Sequence, residues 1–334
     1  MENPLPDEAT KAVFKLLSME TSLLISRIAI INRIPSLRSI NSLLPYTFKN
    51  LKIGTTFMEI NNIQWFFCPV KTPEDLGKVD IQIIRDKKRA PTRRVNKSAY
   101  QQLFDAYVKE GTVVNGSLVL NGAPEFVSSQ QDSKLKVQCK NLELNIRSPK
   151  DYDLLVGLIN MDTVDVLKFP TTPNTVELLD KPEIQTVKTL HLVITQIPGH
   201  PSLQQLLALR NQHLKLRHTR FPLDHLDALV RDWMDTGRNV GTVFSWELIS
   251  YEDALMMFDH FEAKLGALRS MHPRIGQTFG DNGVTIRMKE EKDLVMFGGR
   301  VMRKDKEFDT SGLVFQMEVF ETAPIIHERS DDWW

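Results

Sequence analysis

A constant spacing of 24 residues between short apolar runs is the feature of this sequence that most constrains its fold. Four strand-like runs recur, and their central residues are each 24 positions apart: Leu142, Val166, Leu190 and Leu214. The same step separates three leucines in the apolar segments that follow the runs: Leu155, Leu179 and Leu203. A fixed period in the twenties, in which a short strand precedes a helix, is typical of a solenoid of stacked repeats.

This period predicts a leucine-rich-repeat-like solenoid over residues 139–250. We expect parallel neighbouring strands near residues 141–146, 164–169, 189–194 and 213–218, with helices between them on one side. Alternate residues of a strand face opposite ways, which points four leucines inward: Leu190, Leu192, Leu214 and Leu216. The residues between them face outward, so we select four as candidates for binding a partner: Lys188, His191, Lys215 and Arg217.

The composition is that of an ordinary globular protein. Of 334 residues, 42% are hydrophobic, which is enough for a substantial core. Lys plus Arg equals Asp plus Glu, 42 of each, so no net field favours nucleic acid or a membrane surface. Cys68 and Cys139 cannot form a disulfide framework. No signal peptide and no membrane-spanning run is recognisable, which predicts a cytoplasmic or nuclear protein.

Residues 1–45 are predicted to form short helices. An apolar stripe at helical spacing runs through residues 5–18 and includes Ala9, Val13, Leu16 and Leu17. Two further apolar segments, 23–34 and 36–44, end at Pro35 and Pro45. The stripe must bury against something, and two readings remain open: a cap on the solenoid, or a docking face for another protein.

Three short helices in about 40 residues, opened by Leu5-Pro6, resemble an F-box. That module docks a helical linker protein and so joins its carrier to a cullin-type ubiquitin ligase. The resemblance implies five residues that dock the linker: Leu5, Pro6, Val13, Leu16 and Leu17.

Two phrases also resemble a large nematode family of uncharacterised proteins related to F-box proteins. The first is an Arg-x-Pro-Ser-Leu-Arg segment at residues 33–38 that leads through Pro45 to Asn50-Leu51-Lys52-Ile53. The second comprises residues 229–233, 237–238 and 241–242. The family implies a strand-helix repeat fold and protein binding, and it supplies no catalytic residues.

Residues 46–138 are predicted to hold a first solenoid strand followed by a β-rich insert. The strand is placed at Leu51, because residues 49–53 echo residues 140–144. Asn115-Gly116 within the insert is a β-hairpin signal. A basic run, residues 85–97, is interpreted as a solvated loop; it lacks the interleaved aromatics of single-strand binders, so nucleic acid is not expected as a partner.

The C-terminal part is predicted to cap the solenoid. Residues 251–325 contain an amphipathic helix at 251–269 and β-runs at 284–287, 294–297 and 313–320. The tail, residues 326–334, ends in Trp333-Trp334. These two residues either form a docking peptide for a partner or fold back onto the body of the protein.

No cluster of residues indicates catalysis. The chain has neither His-Glu-x-x-His nor Cys-x-x-Cys, and it lacks both Gly-x-Ser-x-Gly and a phosphate-binding glycine loop. His218 and His225 are interpreted as a surface pair. We therefore predict no catalytic residue, no cofactor and no metal.

The sequence thus predicts an α/β chain: a leucine-rich-repeat-like solenoid with a β-rich insert, an N-terminal helical F-box-like cap and a C-terminal β-containing cap. The predicted function is non-enzymatic protein binding. Its specific form is a substrate-recruiting adaptor of a cullin-type ubiquitin ligase, whose partners are a ligase linker subunit and a target protein. The alternative is a scaffold or inhibitor without a ligase link.

Overall fold

The chain divides into two compact units, the first ending at Pro170 and the second beginning at Thr171. The computed structural model describes residues 45–70, 72, 75, 77–129, 136–194, 200–217, 221–249, 251–269, 283–300 and 313–322. Nearly all of the predicted F-box-like segment, residues 1–44, lies outside these ranges, as does the tail.

The first unit is a mixed sheet with helices α1 (Ala99–Tyr107) and α2 (Pro149–Val156) and 3₁₀ turns at Glu125–Ser129 and Met161–Thr163. The strand order is β9-β8-β7-β1-β2-β3-β4-β5, and β6 also pairs with β4. Strands β1, β7, β8 and β9 are parallel, whereas β1 to β6 are joined by antiparallel pairing. The strands are β1 (Thr47–Gly54), β2 (Phe57–Ile60), β3 (Ile63–Pro69), β4 (Lys78–Arg85), β5 (Lys88–Arg89), β6 (Arg93–Asn96), β7 (Val113–Asn121), β8 (Gln138–Leu144) and β9 (Val166–Thr171).

The second unit repeats this plan with strands in the order β10-β11-β12-β16-β15-β14-β13. Strands β10 to β12 are parallel, and the others pair antiparallel. The elements are a 3₁₀ turn (Val176–Asp180), α3 (Pro182–Thr186), β10 (Thr189–Ile194), α4 (Leu203–Ala208), β11 (His213–Arg217), α5 (Leu223–Thr236), β12 (Val243–Ile249), α6 (Tyr251–Leu265), β13 (Leu268–Arg269), β14 (Gly283–Arg287), β15 (Lys292–Arg300) and β16 (Leu313–Glu321).

The predicted leucine-rich-repeat-like solenoid is wrong. The structure is mostly mixed β-sheet, with sixteen strands in the described residues and few helices. A solenoid repeats one strand-helix unit throughout, but here antiparallel strands β2 to β6 and β13 to β16 make up much of the sheet. The predicted C-terminal β cap does not cover an end, because β16 pairs along β12 and extends the sheet of the second unit.

The parallel pairing of the predicted strands is confirmed for β8 with β9 and for β10 with β11. Leu190 lies beside Leu214, as the 24-residue step requires. Leu142, however, lies beside Leu167 and not beside Val166. The step between repeats is therefore 25 residues at that point, and the constant spacing was partly coincidental.

Alternating leucines form the core face of each sheet. Four of them align across the first unit and are at most 1% exposed: Leu51, Leu118, Leu142 and Leu167. The four inward leucines of the second unit are confirmed, since none is more than 4% exposed: Leu190, Leu192, Leu214 and Leu216. Burial of each such side chain stabilises the fold by about 1.5–3 kcal/mol.

The Asn115-Gly116 pair does not form the predicted hairpin; it lies inside β7, where the register with β1 shifts. A Cβ on Gly116 would come within 2.3 Å of the Lys49 carbonyl oxygen, so only glycine allows this close approach. Asn50 Oδ1 accepts the Ser117 N–H at 3.1 Å, which holds the irregularity in place. The predicted insert thus supplies β7, which lies between β1 and β8.

Candidate functional site: a polar sheet face

The first unit's sheet exposes an ordered row of polar side chains opposite its leucine face. Lys52 on β1 lies beside Glu59 on β2, which lies beside Gln64 on β3. On the other side, Val119 of β7 lies beside Glu143 of β8, which lies beside Lys168 of β9. We call this surface the polar face and define it by Lys52, Glu59, Gln64, Glu143, Asn145 and Lys168.

Charges of opposite sign are paired along the polar face. Lys52 Nζ lies 3.5 Å from Glu59 Oε2, and Lys168 Nζ lies 3.0 Å from Glu143 Oε2. Gln64 Nε2 donates to Glu59 Oε2 at 3.0 Å. Ion pairs this exposed contribute about 0–1 kcal/mol to stability. These ion pairs matter for binding because they hold each charged group in a fixed position on the surface.

Glu143 links the charged row to the end of the strands. Asn145 Nδ2 donates to Glu143 Oε1 at 2.9 Å and to Asn121 Oδ1 at 2.7 Å. Partial burial alone would raise the pKa of Glu143, but hydrogen bonds from Asn145 and Lys168, with the charges of Lys168 and Lys52, outweigh it and hold that pKa below its usual value. Glu143 is therefore a fixed anion at neutral pH.

A pair of aromatic rings lies on the same face beside the charges. Phe57 of β2 and Phe66 of β3 are register neighbours, and their rings stack with centroids 5.7 Å apart. Both are only partly buried. Phe57 covers Gly54, where an added Cβ would lie 2.2 Å from the Phe57 ring. An apolar patch edged by ordered polar groups is the usual anatomy of a protein-binding surface.

Described residues of the first unit line a groove and a cleft. A shallow groove of about 220 Å³ is lined by polar-face residues and their neighbours: Asn50, Leu51, Lys52, Glu59, Ser117 and Val119. A larger cleft of about 370 Å³ lies at the carboxyl ends of the parallel strands, and it is lined by Thr55, Asn121, Gly122, Asn145, Ile146, Arg147, Asp151 and Pro170.

The predicted partner-binding residues lie on the sheet of the second unit. His191 of β10 lies beside Lys215 of β11, and Arg217 lies beside Glu247 of β12. These three alternate with the buried leucines, so the structure brings them onto one face. Lys188 is exposed and lies one residue before β10. The predicted linker-docking set of Leu5, Pro6, Val13, Leu16 and Leu17 lies outside the described residues.

Several histidines of the second unit are partly buried. His225 of α5 packs against His200, with ring centroids 5.7 Å apart. Burial and the neighbouring His200 lower the pKa of His225 despite the opposing charge of Asp224. His218 lies outside the described ranges, so the predicted surface pair stays a prediction.

Within the described ranges, no group of three or more His, Cys, Asp or Glu side chains is placed to hold a metal ion. None of the helices described here has both the length and the apolar character needed to cross a membrane.

Sequence reasoning missed the part of the polar face on β1 to β3. Lys52 and Glu59 alternate with buried residues on β1 and β2, and the turn at Asn61-Asn62 sets the register of Glu59 with Gln64 on β3. That hairpin was readable from the sequence, and counting outward from its turn would have placed Glu59 beside Gln64.

The chain is similar over residues 97–250 to a family model described as a domain of unknown function, DUF3557. This match runs from just before α1 to just after β12, so it contains the parallel strands β7 to β12 but not β1 to β6. No curated protein and no solved structure matches the chain.

Proposed function

We propose that this chain is a non-enzymatic protein-binding module whose partner docks on the polar face. The observation that carries the proposal is the stacked pair Phe57 and Phe66, which lies next to charges already fixed in position. Binding energy at protein interfaces is concentrated in a few aromatic or arginine residues surrounded by polar contacts.

The order of the polar face favours binding because it lowers the entropic cost of association. Immobilising a free side chain at an interface costs about 0.5–1.5 kcal/mol. Glu59 and Glu143 are already held by hydrogen bonds from Gln64 and Asn145. Across the sheet the charges alternate in the order Glu143, Lys52 and Glu59. A partner whose charges alternate with the opposite signs would match this row, and such complementarity favours one partner over others.

Replacing Phe66 by aspartate is expected to weaken partner binding by about 2 kcal/mol, or roughly thirtyfold, because the aromatic anchor would be lost. The partner is identified by crosslinking to a photoreactive amino acid that replaces Gln64. The same amino acid in place of Lys150, which is exposed on α2, measures the background of nonspecific crosslinking. Affinity is then measured by calorimetry for wild type, Phe66→Asp and the apolar control Phe66→Leu, all checked by thermal melting. Equal affinity of folded Phe66→Asp and wild type would refute the use of this face.

A more specific form of the proposal makes the chain a substrate-recruiting adaptor of a cullin-type ubiquitin ligase in the cytoplasm or nucleus. Its support is the resemblance of residues 1–45 to an F-box and of two longer phrases to F-box-related proteins. In this form the N-terminal helices dock the linker subunit and the polar face holds the target. The alternative is a scaffold or inhibitor that binds its partner without a ligase.

Substituting Val13 by glutamate is expected to abolish recovery of ligase subunits while leaving the protein folded, because a charge would enter the apolar docking stripe. Pull-downs compare wild type, Val13→Glu, a chain that starts at Pro45 and the control Ser18→Glu, which adds the same charge on the side of the predicted helix opposite the stripe. If wild-type protein recovers no cullin-ligase subunit, the adaptor form is wrong. A lower melting temperature for Val13→Glu would instead show that the stripe is a cap.

A further inference from the structure

The cleft at the carboxyl ends of β1, β7, β8 and β9 has the features of a second binding site, which shares only Asn145 with the polar face. We call it the strand-end cleft and define it by Thr55, Asn121, Asn145, Arg147 and Asp151. Ligands of sheets with parallel strands bind outside the carboxyl ends of those strands. Its volume of about 370 Å³ is ample for a side chain or a short chain end.

The strand-end cleft contains hydrogen-bond donors that have no protein partner in the described ranges. Arg147 is exposed and makes neither an ion pair nor a hydrogen bond with any described residue, although Asp151 lines the same cleft. The Oδ1 atom of Asn121 accepts a hydrogen bond from Asn145, and the Nδ2 group of Asn121 is left as a donor for a ligand. The cleft thus presents two kinds of donor to a ligand, the guanidinium of Arg147 and the carboxamide N–H group of Asn121.

The backbone that carries Arg147 is held in place. Ser148 is the N-cap of α2, and its hydroxyl accepts the Asp151 N–H at 3.2 Å. Pro149 occupies the first helical position, where its fixed φ angle suits the start of a helix. The backbone of Arg147 is therefore fixed just before the start of α2. The positive end of the α2 dipole adds to the positive potential of the Arg147 guanidinium.

We infer that the strand-end cleft binds a carboxylate of the protein partner, an inference that rests on the proposed protein-binding function. The planar guanidinium of arginine matches a carboxylate in a two-point hydrogen bond, and a carboxamide N–H completes the contact. Asp151 disfavours a doubly charged phosphate more strongly than a singly charged carboxylate. The lining contains no aromatic side chain on which a nucleic-acid base stacks.

The cleft and the polar face are joined by one side chain. Asn145 lines the cleft and donates to both Asn121 and Glu143. A partner that covers the polar face therefore reaches the cleft across β8, and an acidic residue at its edge enters beside Arg147. The carboxylate adds specificity for partners that carry an acid at this one position.

The test uses the full chain and four small probes in an NMR titration. The probes are N-acetyl-glutamate N-methylamide, which has a side-chain carboxylate; N-acetylglycine, which mimics a chain end; N-acetyl-glutamine N-methylamide, which is neutral; and inorganic phosphate. The reporters are the side-chain N–H signals of Asn121 and Arg147. We expect saturable shifts with at least one carboxylate, and the tighter of the two identifies the source.

Three variants make the test specific. Arg147→Gln is expected to weaken carboxylate binding by about tenfold or more, because the charged two-point contact is lost. Lys150→Gln removes a neighbouring exposed charge that does not line the cleft, so it is expected to change the dissociation constant by less than about twofold. Asp151→Asn removes a like charge and is expected to tighten binding.

The inference is overturned if the neutral amide shifts the reporters as much as the carboxylates do, if no shift saturates, or if phosphate binds more tightly than both carboxylates. Equal losses for Arg147→Gln and Lys150→Gln would also overturn it, because they would show diffuse attraction and not a site. No partner protein is present in these titrations. A negative result with Phe66→Asp would therefore refute the proposed use of the polar face without altering this outcome.

Discussion

Replacing Leu190 by aspartate is expected to unfold the second unit. Leu190 is fully buried in β10 and lies beside Leu214 of β11, which is also buried. An aspartate there would place an unpaired charge in an apolar core, at a cost of at least about 4 kcal/mol. That loss is comparable to the whole stability of an ordinary domain, which is about 5–15 kcal/mol.

The experiment must separate the effect of burying the new charge from the effect of adding a charge anywhere on the strand. Leu214→Asp and Lys215→Asp provide a matched pair, since the two residues are adjacent in β11 and only Lys215 is exposed. We expect Leu214→Asp to behave like Leu190→Asp, whereas Lys215→Asp melts close to wild type. If Leu190→Asp does not fold at all, Leu190→Ala, with an expected loss of about 2–5 kcal/mol in urea unfolding, gives a measurable value. A near-normal midpoint for Leu214→Asp would contradict the assigned core.

The inward leucines were predictable because a strand has a period of two. Once Thr189 to Ile194 is taken as a strand, alternation alone sends Leu190 and Leu192 to one face and His191 to the other. The same argument placed Lys215 and Arg217 outward. No knowledge of distant pairing was needed for these assignments, which is why they agree with the structure.

The spacing argument failed where it depended on pairing between strands. A parallel crossover needs a dozen or more residues between its strands, so a step of about 24 residues suits a mixed sheet as well as a solenoid. The partner of Leu142 is Leu167. Moreover, the pairing of β1 with β7 joins residues separated by more than sixty positions, and no local pattern announces such a contact.

The same limitation hid most of the candidate site. Lys168 comes near Glu143 only because β8 and β9 are parallel in this register. Phe57 and Phe66 lie in the predicted β-rich insert, but their stacking depends on the hairpin register and on the absence of a side chain at Gly54. The sequence supplied the residue types, whereas their arrangement was decided by contacts between strands.

Introducing valine at Gly116 is expected to be the most damaging single change on the polar side of the first unit. The new Cβ would lie 2.3 Å from the Lys49 carbonyl oxygen and 2.6 Å from Asn50 Oδ1. Backbone cannot move aside as a flexible side chain can, so β1 and β7 would have to separate at the irregularity. Asn50 would then lose the Ser117 N–H, and Asn141 would lose the Gly116 carbonyl that it now contacts at 3.0 Å.

We expect this strain and the lost hydrogen bonds to cost about 3 kcal/mol or more, measured as the free energy of unfolding in urea. Gly157→Ala is the matched control, because Gly157 ends α2 in ordinary helical geometry and its added Cβ would approach no described atom closer than 3.3 Å. Since Ser117 and Lys52 line one groove, the Gly116 variant should also weaken partner binding even where it stays folded. Unchanged stability would show that the register shift between β1 and β7 is absent in solution, and the polar face would then need a different alignment of Lys52 with Val119.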